Sequence, residues 1–152
     1  MSAPANAALP WQYDDGGRAD AGFKGSAGDC VCRALTIAAG ESYQAVYDIL
    51  AEGNATQRRS RRSRARGRRS ARDGINTGRK WFHDLMRSRG FKWTPAMAIG
   101  TGCKHHLRTG DVPANCIAVV SKHWVAVVDG VMRDTHDPSR GGTRCVYGWW
   151  AL

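Results

Sequence analysis

The sequence predicts an α+β fold in which N-terminal helices pack on a C-terminal antiparallel sheet. Three observations carry this. Apolar residues recur at helical spacing in the first half of the chain; β-branched runs take over from Cys116; and Asp129-Gly130, between two such runs, is a two-residue hairpin signal. Helices first and strands afterwards segregate into layers. The 152 residues suffice for one domain that buries a core without staples.

Residues 1–10, rich in Ala and Pro, read as a loose tail, and 11–152 as a single domain. The Gly- and Asp-rich approach from Trp11 to Gly28 is expected to be irregular and to form one wall of a cleft. Asp29 is a suitable N-cap for a first helix, in which Val31, Leu35, Ala38 and Ala39 share a face and which Gly40 ends. A second helix begins near Glu41 or Ser42, buries Tyr43, Val46, Tyr47, Ile49 and Leu50, and stops at Gly53-Asn54. Residues 54–72 have no apolar periodicity and read as a mobile insertion. A third helix is expected across Thr77–Arg89, with Trp81, Phe82, Leu85 and Met86 inward and Gly90 closing it. Phe91 to Met97 reads as extended, and Cys103–Leu107 as a helical turn. Strands follow at Cys116–Val120, His123–Val128, Val131–Asp134 and Arg144–Trp150.

The formal charge of +10 is local. Arg58, Arg59, Arg61, Arg62, Arg64, Arg66, Arg68, Arg69 and Arg72 form one acid-free block, and without these nine the rest carries 14 basic against 13 acidic residues. The block reads as a solvated insertion that needs no partner, or as an arm for nucleic-acid backbone without sequence preference or for an acidic protein, and its lack of aromatics argues against base stacking. No stretch has the roughly 18 apolar residues of a membrane span, and Met1–Pro10 has no leader pattern, so no membrane partner is expected. A cytoplasmic setting follows, where five cysteines would be free thiols.

Cys30 falls in the first turn of the first helix, where unpaired N–H groups and the helix dipole favour a thiolate. The hairpin pairs Val128 with Val131 and, by extension, Val125 with Asp134, which puts His123, Val125 and Asp134 on one sheet face. A helix packed on that face would complete a nucleophile, a base and a carboxylate that orients the base. Asp137 is the competing acid, although extended pairing puts it on the opposite face. His136 lies opposite His123 by the same register. Trp11 is the aromatic best placed to line a groove, whereas Trp124, Trp149 and Trp150 read as packing. Cys32 reads as a buried small residue.

The Gly-Asp-Cys-x-x-Arg-Ala-Leu context of Cys30, followed downstream by His-Trp-Val-Ala-Val-Val-Asp-Gly and Asp-Thr-x-Asp, resembles the papain-like cysteine peptidase superfamily, and more closely its small bacterial and phage members. The resemblance covers roughly residues 22–50 and 115–150. It implies a papain-like fold and a cysteine hydrolase (peptidase, isopeptidase or amidase) with Cys30 as nucleophile, His123 as general base and acid, and Asp134 as the orienting carboxylate. A protein or peptide substrate is implied, and no cofactor. One departure stands out: no Gln or Asn precedes the cysteine between Gly22 and Asp29, which leaves Lys24, Gln12 or backbone N–H groups to bind the oxyanion. A zinc site from Cys30, Cys32, Cys103, His105 and His106 is disfavoured, because neither cluster has the loop spacing of ligand pairs. The alternative to an enzyme is a noncatalytic papain-like module that binds nucleic acid or an acidic partner through the arginine block.

Overall fold

The computed structural model describes residues 7–23, 29–56, 77–97 and 102–152. Its elements are β1 (Trp11–Tyr13), α1 (Cys30–Ala39), α2 (Tyr43–Thr56), α3 (Lys80–Ser88), β2 (Lys92–Pro95), β3 (Cys116–Val120), β4 (His123–Val128), β5 (Val131–Asp134) and β6 (Val146–Ala151). The strands form one six-stranded sheet in the order β1-β5-β4-β3-β6-β2. It is mixed rather than antiparallel, since β1 runs parallel to β5, with Trp11 beside Met132 and Tyr13 beside Asp134. The ten-residue tail is a second correction. Leu9 is buried, its N–H bonds the Leu107 carbonyl, and Ala8 bridges to Arg108, so residues 7–10 are fastened before β1 begins.

The β4–β5 hairpin has the expected register, Val128 to Val131, Val127 to Met132 and Ala126 to Arg133. Asp129 and Gly130 both take positive φ, 50° and 79°, the backbone that a type I′ turn requires. Alternation along the central strands divides the core. Ile117, Trp124, Ala126 and Trp150 pack beneath Val31, Ala34 and Leu35 of α1, with Phe82 and Met86 of α3. Cys116, Ala118, Val120, Val125, Val127 and Met132 face the other way, against Leu9, Leu107 and Val112.

α1 ends as expected at Gly40, which takes φ 68° and returns its N–H to the Thr36 carbonyl. α2 starts after Ser42, whose Oγ accepts the Ala45 N–H, but it runs through Gly53-Asn54 instead of stopping there. Gly53 is needed for a different reason, because a Cβ at that position would lie 2.2 Å from the Trp81 ring. α3 begins later than expected, at Lys80, after an extended Arg79. Residues 103–105 form no helical turn. Cys103 is disulfide-bonded to Cys145, with Cα atoms 5.9 Å apart, and His106 bridges to Cys145, so this stretch is sewn to the start of β6. The disulfide overturns the expectation that every cysteine is free. Cys30, Cys32 and Cys116 are free. No helix among the described residues is long and apolar enough to cross a membrane. The arginine block at 58–72, Lys24 and Gly28 lie outside the described residues.

Candidate active site

α1 packs on the Trp124 and Ala126 side of the sheet, opposite the face on which His123 and Asp134 were expected to meet it. The three residues come together nonetheless because each lies at an element's end. His123 opens β4, Asp134 closes β5 and Cys30 opens α1, so the thiol reaches them around the end of the sheet.

His123 Nε2 is 2.5 Å from Asp134 Oδ2. That contact leaves Nδ1 as the ring nitrogen available to the Cys30 thiol, whose charged form the imidazole favours. The Trp124 backbone N–H likewise favours the thiolate. Val128 and Val131 flank the turn as a hydrogen-bonded pair, so even-numbered residues of β4 direct their N–H toward β5. Trp124 would pair there with Thr135, one residue beyond the end of β5, and its N–H is thereby released to the thiol.

The carboxylate is divided between its oxygens. Asp134 Oδ1 accepts the Thr135 N–H at 2.7 Å and meets Arg33 Nη2 at 3.5 Å, while Oδ2 faces His123. The Asp134 carbonyl is also held, accepting Trp11 Nε1–H at 3.2 Å and the Asp14 N–H at 2.9 Å. Trp11 therefore lies beside the acid while remaining 42% exposed.

Burial pushes the Cys30 thiol up, but His123, the Trp124 N–H and Arg33 outweigh it and hold the thiol below its ordinary value of 9.0. Burial opposes charge on His123 too, yet Asp134 and Cys30 raise it to about 9. Asp134 is lowered, because His123, the Thr135 N–H and Arg33 overcome its burial. Cys116 shows what burial alone does, being pushed up to about 12, and Cys32 reaches about 12 through burial and the Asp29 charge despite Tyr43, Thr36 and Arg18.

Behind the thiol lies a buried polar cluster. Asp29 occupies the N-cap position of α1 but makes no side-chain cap bond. Its fully buried carboxylate instead accepts Arg33 Nη1, Arg18 Nη1 at 3.2 Å and the Tyr43 hydroxyl at 2.5 Å. Burial and Asp29 together raise the Tyr43 hydroxyl far above its ordinary range, so it is a donor at every working pH.

Of the other expected residues, Asp137 turns its Oδ1 to the Ser139 N–H and hydroxyl and has no contact with His123. Gln12 is exposed in β1 beside Arg133, and among the described residues its amide makes no hydrogen bond. His136 is 5.1 Å from His123 between ring centroids and 3.9 Å from Asp134 Oδ1. His123, Asp134 and His136 bring donor atoms within 4.8 Å of one another, a set with the chemistry for a borderline transition metal, but the Arg33 cation on the shared carboxylate opposes one. The disfavoured zinc set is divided, with Cys103 taken by Cys145.

Sequence reasoning missed Arg33, Arg18 and Tyr43. Its one available signal was the Asp29–Arg33 spacing, an i,i+4 pair of opposite charge on an otherwise apolar helix. Comparison with protein-family models, with curated proteins and with solved structures finds no match to this chain.

Proposed function

We propose that this chain is a papain-like cysteine hydrolase acting on an amide-type bond in a protein or peptide. The observation that carries the reading is the arrangement of His123 2.5 Å from Asp134 Oδ2 beside Cys30 at the start of α1, in surroundings that lower the thiol and raise the imidazole. Both shifts favour an ion pair of thiolate and imidazolium over the neutral thiol and imidazole. The thiolate attacks the carbonyl carbon, and the oxygen gains charge toward the N–H groups of the first turn of α1. His123 gives its proton to the departing amine, leaving a thioester. It then takes a proton from water, whose oxygen displaces the thiolate and releases the acid. Asp134 stabilises the imidazolium and holds the ring through Nε2.

In a cytoplasmic setting, which the proposal includes, the Cys103–Cys145 pair would be reduced. The rival reading, a noncatalytic module that binds polyanions through residues 58–72, requires no activated thiol. The test is iodoacetamide labelling of Cys30 against pH, followed by peptide mass spectrometry in the parent and in His123→Ala. Rapid labelling well below pH 9 that the substitution abolishes supports the hydrolase. Labelling as slow as that of an ordinary accessible thiol, unchanged by the substitution, overturns it in favour of the binding module.

A further inference from the structure

Asp29 immediately precedes the thiol, and Arg33 follows one turn later on the same helix face. Arg33 is 9% exposed and reaches in two directions: Nη1 to Asp29 Oδ1, and Nη2 to Asp134 Oδ1 at 3.5 Å. Beyond Asp29 stands Arg18, also buried and lying over the Phe23 and Tyr43 rings at 5.4 and 5.9 Å. The charges alternate from Arg18 through Asp29, Arg33 and Asp134 to His123 and the Cys30 thiolate, with three of each sign. Removing any one buried ion would leave its neighbours uncompensated in a poorly solvated site.

We propose that Arg33 is a positioning residue that couples the start of α1 to Asp134, fixing the carboxylate so that Oδ2 meets His123 while its own cation supports the Cys30 thiolate. This role rests on the hydrolase reading. Only a guanidinium serves both carboxylates at once, because its planar fork presents separate donors on Nη1 and Nη2, whereas an ammonium is a point charge. Thr135 N–H occupies the same Oδ1 from the opposite element, so the carboxylate is gripped from β5 and from α1 together. The charged groups around the thiol are His123 of β4 and Arg33 of its own helix. Asp134 of β5 and His136 stand behind His123, and Asp29 is held away by Arg18 and Tyr43.

The experiment is the iodoacetamide profile of Cys30 against pH in the parent, Arg33→Met and Arg33→Lys, each confirmed folded by near-ultraviolet circular dichroism. In Arg33→Met the midpoint is expected to move upward by about one pH unit, the scale of a lost neighbouring cation. Arg33→Lys, which keeps the charge and loses the bridge, should fall between that variant and the parent. If Arg33→Met does not fold, a Lys midpoint above that of the parent supports the role and an unmoved one overturns it. Variants that lose thermal stability but keep the parental midpoint also overturn it, since a merely structural arginine would behave so; the parent's low midpoint then leaves the hydrolase reading standing. An ordinary thiol profile in the parent overturns both.

Discussion

His123 gives the site its sharpest dependence on pH. Its imidazole titrates near 9 when folded and at 6.5 when unfolded, so its contribution to stability is complete below 6.5 and is lost as the pH rises through 9. Asp134, depressed below 3.8, contributes above 3.8 and loses that contribution as the pH falls through its lower folded value. The two windows overlap between pH 3.8 and 6.5. The stability difference between the parent and His123→Ala, measured by urea denaturation, should therefore be greatest in that interval and shrink steadily toward pH 9. A difference constant from pH 6 to 10 would show that the ion pair does not form. The positions of Cys30 at a helix start and of His123 and Asp134 at strand ends were legible because each is set locally, by a cap and by a two-residue turn. The face on which α1 packs was not, since the alternation pointed to the opposite one. Arg33, Arg18 and Asp29 were not, because a buried ion cluster is assembled by packing and an arginine in a helix ordinarily reads as solvent-facing.

Among the elements, the β4–β5 hairpin was the most legible and β1 the least. Asp129-Gly130 encodes its own backbone, whereas Trp11–Tyr13 is three exposed residues whose pairing partner lies far downstream, so neither periodicity nor a turn announces it. Gly53 was misread because a glycine in a helical pattern can signal either a stop or a close approach. Here the approach is decisive, and it can be tested. Gly53→Ala should gain about 1 kcal/mol in helix propensity and lose more to the Trp81 ring, with a net destabilisation of about 1–2 kcal/mol. Measured by urea denaturation in a Trp81→Leu background, the same substitution should become neutral or stabilising. A cost that persists there would mean that the ring is not the obstacle.

At the scale of the whole molecule, the Cys103–Cys145 bridge closes a loop of sequence separation 42 that contains β3, β4 and β5 and therefore both His123 and Asp134. Constraining a loop of that length in the unfolded chain contributes about 2–4 kcal/mol. Cys103→Ser should lose that amount under oxidising conditions and nothing relative to the parent under reductant. Equal denaturation midpoints in both conditions would show that the bridge does not form in solution. Nothing in the spacing of five cysteines singles out this pair, since the odd count fits many pairings and only the fold brings these two within reach.

The contact between Gly53 and Trp81 also has an architectural consequence. It holds the C-terminal turns of α2 against the first turn of α3, so the two helix ends lie side by side. Residues 57–76 therefore join two neighbouring helix ends, and each doubling of such a connection adds only about 0.6 kcal/mol of closure entropy.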